Sequence, residues 1–139
     1  MTGTKRKGTY ILFLRFDSKR QINVGALGVL SVDDGEYCYV GSAMNGLDER
    51  IGRHMSIDKK MHWHIDRLTV LTDGMEAFVP SELVPECVLS EMAEESGCLP
   101  VFKGFGCSDC KCGTHLFAVS ETSKQKLLNT LRAVPFVKK

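Results

Sequence analysis

The chain has 139 residues, of which 43% are hydrophobic, with 18 Lys or Arg against 17 Asp or Glu and six cysteines. This length predicts one globular domain over residues 1–139 whose core needs no disulfides, and it excludes two domains of ordinary size. No apolar run approaches the roughly 20 residues of a membrane span, and no signal-peptide core precedes the first strand. We therefore expect a cytoplasmic protein without a membrane partner.

The charges are unevenly distributed along the chain. Residues 73–95 carry seven acids and no Lys or Arg, whereas residues 122–139 carry five cations and no acid. The net charge of +1 gives no global argument for nucleic acid and leaves local binding open. In a cytoplasmic protein, clustered cysteines indicate metal binding or redox chemistry rather than disulfides.

The first part of the chain predicts two strands. Residues 8–16 alternate and are rich in aromatic and branched side chains, which is typical of a strand. Residues 21–32 form a weaker extended stretch broken by two glycines. A tight turn at residues 33–35 then leads into a second strand at residues 36–40. Together these segments predict an antiparallel hairpin or meander.

A helix is predicted next, because apolar residues and a histidine recur there at helical spacing. Arg50 and Arg53 border the stripe, so Arg50 is placed where a guanidinium can reach a neighbouring sheet. The predicted buried stripe consists of Leu47, Ile51, His54 and Met55.

The second half predicts another strand within residues 68–80, a helix between Pro85 and Gly97, a late strand at residues 114–119 and a closing helix at residues 123–133. The inward face of the middle helix is predicted to carry Cys87, Val88 and Met92. The fold class is α+β, with a small antiparallel or mixed sheet flanked by about three helices.

Two tripeptides and a helix carry a family resemblance. Residues 8–10 (GTY) lie on the first strand, residues 39–41 (YVG) on the second, and Arg50 on the helix after them. This arrangement resembles the GIY-YIG nuclease superfamily, with Thr9 and Val40 as β-branched replacements for isoleucine. The resemblance covers nearly the whole chain. Three longer runs in order resemble the Uri-type branch of that superfamily, a prokaryotic domain of unknown function: residues 35–43 (GEYCYVGSA), 60–66 (KMHWHID) and 105–117 (FGCSDCKCGTHLF).

The resemblance implies a small three-stranded central sheet flanked by helices, and a divalent-metal-dependent endonuclease that hydrolyses DNA. It implies that Tyr10 lies near the attacking water and helps to deprotonate it, and that Tyr39 shares the same sheet face. Arg50 is implied to neutralise charge on the phosphate. An acid on a later helix is implied to hold Mg²⁺ or Mn²⁺.

The chain departs from the superfamily pattern in two places. The spacing between Tyr10 and Tyr39 is longer than is typical, so residues 21–32 are expected to form an extra hairpin arm that narrows access to the site. The loop before Arg50 is one residue longer, which leaves Arg53 as an alternative catalytic arginine.

The residue types also suit phosphoryl transfer on chemical grounds. The reaction needs positive charge at the phosphorus and a metal to stabilise the leaving oxygen. The planar fork of an arginine meets two phosphate oxygens at once, which a lysine does not. A phenol near a metal can serve as a base despite an ordinary pKa of about 10.

Two glutamates compete for the metal on the later helix. Glu86 precedes a cysteine, as in the Uri-type pattern, and the resemblance favours it. The helical wheel instead places Glu91 beside the predicted apolar stripe and Glu86 off it, and an acid at a buried edge is the better candidate for chemistry. Both alternatives stay open, as does a solvent-facing position for both side chains.

A group of soft metal ligands lies before the late strand. The opening Cys-x-x-Cys is a common half of a zinc knuckle, but the remaining spacing is tighter than in zinc fingers. A structural zinc site and a compact loop with buried cysteines both fit this pattern. The candidate zinc ligands are Cys107, Cys110, Cys112 and His115.

A second polar cluster surrounds the only tryptophan. If the segment is extended, His62, His64 and Asp66 share one face and line a site as phosphate contacts, supporting residues or a proton relay. A hydrogen-bonded structural corner is the competing interpretation. His54 lies one turn after Arg50 and is a further catalytic candidate, and Arg53 is a further phosphate contact.

The sequence thus predicts a GIY-YIG-type endonuclease that acts on DNA with Mg²⁺ or Mn²⁺, and with structural Zn²⁺ as an option. The alternative is a non-catalytic nucleic-acid-binding accessory domain with a zinc knuckle. No separate DNA-reading module is recognisable, so a branched or damaged junction or a partner protein is expected to define the target.

Overall fold

The computed structural model describes residues 8–25, 28–43, 46–56, 64–102, 105 and 114–136. Within these residues it contains four helices and eight strands, so the α+β class is confirmed. The described helices include none that is both long and apolar enough to cross a membrane. The elements in chain order are β1 (Gly8–Phe16), β2 (Arg20–Asn23), β3 (Val29–Val32), β4 (Gly35–Ala43), α1 (Leu47–Met55), α2 (His64–Thr69), β5 (Gly74–Val79), α3 (Glu86–Glu95), β6 (Leu99–Pro100), β7 (Leu116–Val119), α4 (Glu121–Leu131) and β8 (Val134–Pro135).

The main sheet is larger than the three strands predicted. Six antiparallel strands follow the order β6-β7-β4-β1-β5-β8, with β1 and β4 at the centre. The two edge strands, β6 and β8, have only two residues each, and so short a strand shows no alternation that a sequence pattern reveals. The second central strand also extends past the predicted residue 40 to Ala43.

Strand β1 is covered on both sides. Tyr10 and Leu12 belong to one buried cluster, whereas Ile11 and Phe13 belong to another, because successive side chains point to opposite faces of a sheet. We call these the α1 face and the α3 face. The α1 face packs against α1, α2 and the β2–β3 hairpin, and the α3 face packs against α3 and α4. Burial from two sides explains why residues 8–14 are buried without a break.

The predicted extra hairpin is present as β2 and β3, which pair antiparallel in a sheet of their own. Its alternate residues Ile22, Leu30 and Val32 are buried in the cluster on the α1 face, together with Val24. The hairpin therefore lies on the main sheet and covers part of the face that also carries Tyr10.

Helix α3 turns a different side inward than predicted. Its buried residues are Leu89, Ser90 and Ala93, whereas Val88 is 40% exposed. The face predicted from Cys87, Val88 and Met92 is confirmed for Met92, which is half-buried against the core, and is wrong for Val88. Leu89 neighbours Val88 in sequence, and two adjacent apolar residues allow two settings of the helical wheel. The hydroxyl of Thr9 on β1 donates to the carbonyl of Val84 at 2.6 Å and fixes the start of this helix beside the beginning of β1.

Candidate active site

The site lies at the end of the sheet where β1 begins and β4 ends. In the ladder between these strands Tyr10 is directly opposite Gly41. A Cβ atom at position 41 would lie 2.5 Å from the hydroxyl of Tyr10, far inside van der Waals contact. Gly41 is therefore required by the close approach of the phenol, which crosses over the neighbouring strand.

Tyr10 meets a histidine from the first helix. Its Oη lies 2.6 Å from Nε2 of His54, and both residues are buried, with exposures of 0% and 1%. The stripe predicted for α1 is confirmed for Leu47, Ile51 and His54 but is wrong for Met55, which is 45% exposed at the last position of the helix. The helical repeat thus carries a polar imidazole into the core together with its apolar neighbours.

Tyr39 completes an aromatic group on the same face. Its ring centroid lies 6.5 Å from that of Tyr10 and 6.2 Å from that of His54. The ring of Phe105 packs edge-on against it at 6.1 Å. The two tyrosines and the histidine therefore form one packed unit, and Tyr39 is its half-buried member.

Both phenols are held in the neutral form. Burial raises the pKa of Tyr10 far above its ordinary value, and the positive charge of Arg50 counteracts this in part. Burial likewise raises the pKa of Tyr39, and the negative charges of Glu86 and Asp66 act in the same direction on both groups. The side chains of Glu86, Asp66 and Arg50 therefore all lie within electrostatic range of the two tyrosine hydroxyls.

Arg50 reaches from α1 to the end of β4. Its Nη1 donates to the carbonyl oxygen of Ser42 at 2.9 Å, and the residue is half-buried. The sequence placed this side chain at the border of the buried stripe, and the contact with β4 is the sheet contact that this position predicts. The guanidinium also hydrogen-bonds the Tyr10 side chain, so Arg50 joins α1 to both central strands.

Arg53 is engaged in a different way. Its Nη2 lies 2.7 Å from Oδ2 of Asp66, whose side chain is fully buried, and this ion pair joins α1 to α2. The extended segment predicted for residues 62–66 is wrong from His64 onward, because α2 begins there and alternate residues of a helix do not share a face. Asp66 is therefore an internal partner of Arg53, whereas Arg50 contacts β4.

The two candidate metal-binding glutamates are separated by the structure. Glu91 is exposed on α3. Glu86 opens the same helix with a side chain 28% exposed, and its Oε1 lies 3.1 Å from Nδ1 of His115, which is fully buried. Burial lowers the pKa of His115, and the Glu86 carboxylate offsets only part of that effect, so the imidazole is neutral at pH 7.

The residues around the site offer a partial set of ligands for a metal. Within the described ranges, no three His, Cys, Asp or Glu side chains converge as a metal cage requires. Mg²⁺ is commonly held by one or two carboxylates together with water and substrate phosphates, and Glu86, half-buried at the edge of the site, suits this role. His62 and three of the predicted zinc ligands, Cys107, Cys110 and Cys112, lie outside the described residues.

Several participants were not identified as such from the sequence. The steric role of Gly41 follows from its position opposite Tyr10, and the contact between Glu86 and His115 joins the start of α3 to the residue before β7. Phe105, which packs on Tyr39, opens the third run that carries the resemblance, but its position there predicted no contact with Tyr39. Pairing the GTY and YVG tripeptides as neighbouring antiparallel strands would have placed Gly41 opposite Tyr10 and so predicted its steric role.

Comparison with known proteins gives one match. The family model for a domain of unknown function, DUF123, covers residues 9–135 of the chain, which include all of the elements that build this site. Neither a curated protein nor a solved structure matches the chain.

Proposed function

The chain belongs to the family defined by the domain of unknown function DUF123, and from its site we propose a divalent-metal-dependent DNA endonuclease of the GIY-YIG type. The observation that carries the proposal is the buried contact of 2.6 Å between the Tyr10 hydroxyl and His54 Nε2, beside the guanidinium of Arg50. The order of the GTY and YVG tripeptides and the Arg50 helix, which resembles that superfamily, supports the same reaction.

Arg50 is proposed to bind the scissile phosphate. Its contact with the Ser42 carbonyl aims the side chain along the end of β4, and the half-buried position weakens screening by water. Charge that develops on the phosphate oxygens in the transition state is then stabilised by donors that are already in place.

Tyr10 and His54 are proposed to take the proton of the attacking water. Because burial raises the pKa of Tyr10, its phenol stays protonated and takes a proton only as it passes its own proton to an acceptor. His54 Nε2 lies within hydrogen-bond distance and accepts the phenolic proton while Tyr10 Oη receives the proton of the water. The water oxygen bonds to phosphorus, the bond from phosphorus to the leaving oxygen breaks, and solvent protonates that oxygen.

Glu86 is proposed to hold Mg²⁺ or Mn²⁺. The bound ion supplies Lewis-acid stabilisation of charge on the phosphate and on the leaving oxygen. His115 lies 3.1 Å from one carboxylate oxygen and, being neutral, orients Glu86 without neutralising its charge. The fully buried imidazole of His115 also holds the start of α3 beside the start of β7.

A cleavage assay with a matched pair of variants on α3 tests this proposal. Supercoiled, single-stranded and branched DNA are incubated with Mg²⁺, Mn²⁺ or EDTA and with wild type, Glu86→Gln and Glu91→Gln. We expect metal-dependent cleavage that falls by about 10²-fold or more in Glu86→Gln, because a metal contributes several kcal/mol to the barrier. The exposed Glu91→Gln control should cleave as the wild type does.

The possible outcomes separate the two functions. Cleavage in EDTA, or equal cleavage by both variants, contradicts the role of Glu86. DNA binding by the wild type without cleavage of any substrate contradicts the enzyme and favours a nucleic-acid-binding accessory domain.

A further inference from the structure

A cavity of about 270 Å³ lies on the α1 face, between the β2–β3 hairpin and the main sheet. Its apolar walls come from β3, α2 and β7, through Leu30, Leu68 and Leu116. Ser31 and Asp33, both exposed, belong to its rim. The cavity is therefore an apolar slot with polar groups at its mouth, and the extra hairpin supplies one of its sides.

Tyr37 forms a fixed aromatic wall of this cavity. Its hydroxyl donates to the carbonyl oxygen of Asp33 at 2.9 Å, and its ring packs edge-on against Phe16 with centroids 6.0 Å apart. A ring held at its edge and at its hydroxyl keeps one orientation. Rigid aromatic surfaces of this kind suit stacking with a planar group.

The cavity neighbours the candidate active site on the α1 face. Leu116, which lines it, is directly opposite Tyr39 in the ladder between β4 and β7. Tyr37 lies two residues from Tyr39 on the same face of β4, a separation of about 7 Å along the strand. Arg50 is held at Ser42, five residues and about 17 Å along β4 from Tyr37, so a base about two to three nucleotides from a phosphate at Arg50 is within reach of the cavity.

We propose that this cavity binds one unpaired base of a single-stranded stretch in the DNA substrate. This inference rests on the proposed function for its position beside the phosphate. An aromatic wall, apolar sides and polar groups at the mouth are the features with which proteins hold unstacked bases. The volume accommodates a purine with part of its sugar, and a base that is stacked within a duplex does not enter it.

The proposal makes the substrate single-stranded near the cut. A paired base has to leave its stack before it reaches the cavity, at a cost in free energy that an unpaired base does not incur. Single-stranded, flapped or branched DNA is therefore expected to bind more tightly than a blunt duplex of the same length. The hairpin that narrows the α1 face thus selects the substrate.

Methyl NMR of the wild-type protein tests the cavity without any turnover. The protein is titrated to millimolar concentrations with each of the four deoxynucleosides and, separately, with hexanol as an aliphatic probe. We expect saturable shifts of the methyl groups of Leu30, Leu68 and Leu116, while Ile11 and Leu127 on the α3 face do not shift. Absence of cavity shifts with every nucleoside, or tighter binding of hexanol than of any nucleoside, overturns the proposal.

A filled cavity provides the second test. Ala118 lines the cavity opposite Tyr37, so Ala118→Leu places three more carbon atoms inside it. We expect a single-stranded 20-mer, titrated in EDTA, to bind this variant about tenfold more weakly, since stacking one base contributes about that much. Val29→Leu, at an exposed position of β3, should bind as the wild type does, and equal affinity for both variants contradicts the proposal.

The two tests separate this proposal from the nuclease itself. Cleavage of DNA together with silent cavity methyl groups rejects the base site and leaves the endonuclease standing. Nucleoside shifts in a protein that cuts no DNA reject the endonuclease and support the base site. If Ala118→Leu does not fold, the nucleoside titration of the wild-type protein still shows whether the cavity binds a base.

Discussion

The two faces of β1 differ in what they bury. On the α3 face, Ile11 and Phe13 pack among apolar side chains of α3 and α4. On the α1 face, Tyr10 is equally buried but carries a hydroxyl that meets His54, with Arg50 close by. Buried polar groups contribute less to stability than apolar ones of the same size. The comparison indicates that Ile11 and Phe13 stabilise the fold by apolar burial, whereas Tyr10 adds a buried polar contact that we propose to serve chemistry.

The α3 face also has a polar boundary, at the far end of the sheet. Lys124 of α4 lies over the ring of Phe13 at 4.7 Å and its Nζ contacts Glu36 at 2.9 Å and Glu76 at 3.0 Å. These carboxylates come from β4 and β5, on either side of β1. Here the charges are paired at the rim of the core. Near Tyr10, in contrast, the charges of Arg50, Glu86 and Asp66 act on the phenol itself.

The largest effect on stability is expected from the apolar face. Phe13→Ala removes a ring that is 1% exposed and packs edge-on against Phe78 at 5.5 Å. We expect the free energy of unfolding to fall by about 3–5 kcal/mol, because a cavity forms as burial is lost. Urea denaturation measures it, and a loss below about 1 kcal/mol contradicts the role assigned to this face.

Next is the ion pair beneath the site. Arg53→Met leaves the buried Asp66 carboxylate without this partner, so we expect a loss of about 2–3 kcal/mol, less than for fully buried pairs because the Arg53 side chain is 27% exposed. The double variant Arg53→Met/Asp66→Leu should recover most of that stability. If the double variant is as unstable as the single one, packing rather than charge accounts for the loss.

Gly41→Ala tests the close approach of the phenol. The added methyl carbon meets the Tyr10 hydroxyl at 2.5 Å, so we expect a loss of about 1–3 kcal/mol by overpacking and slower cleavage as Tyr10 shifts away from His54. In a Tyr10→Leu background the same substitution should be less destabilising, because the hydroxyl and the two ring carbons at 2.6 and 3.0 Å are all gone. Thermal unfolding of the four proteins gives this difference, and equal losses in both backgrounds contradict the steric explanation.

The smallest effect is expected from alkaline pH. The pKa of Tyr10 in the folded state lies above the ordinary value of 10.0, so the unfolded state releases its proton first as pH rises. Stability from this group is complete below pH 10 and declines above it by up to about 1.4 kcal/mol per pH unit. Tyr10→Phe should therefore lose less stability than wild type between pH 9.5 and about 11 in denaturant titrations, and parallel losses contradict the burial effect.

The sequence was sufficient where a pattern was long or tied to a motif. Alternation identified β1, the helical repeat placed His54 inward, and the paired tripeptides brought Tyr10 and Tyr39 to one face. Edge strands of two residues, the helical start at His64 and the inward side of α3 escaped it. In each of those places the local sequence is compatible with more than one structure, and tertiary packing determines which one forms.

The site followed the same division. Arg50 and Glu86 could be proposed from their motif positions, but their partners could not, because the Ser42 carbonyl and the His115 imidazole come from other elements. Register across the sheet determines such contacts, and register depends on strand pairing rather than on residue type.

The most direct measurement is cleavage by Arg50→Ala alongside its free energy of unfolding. If the α1 face is a phosphodiesterase site, kcat falls by about 10²–10³-fold, and the free energy of unfolding falls by about 1.5–3 kcal/mol with the loss of the charged hydrogen bond to Ser42. Arg50→Lys keeps the charge but not the planar fork, so its kcat should lie between those of the wild type and Arg50→Ala. Wild-type cleavage rates in a folded Arg50→Ala protein would contradict the account.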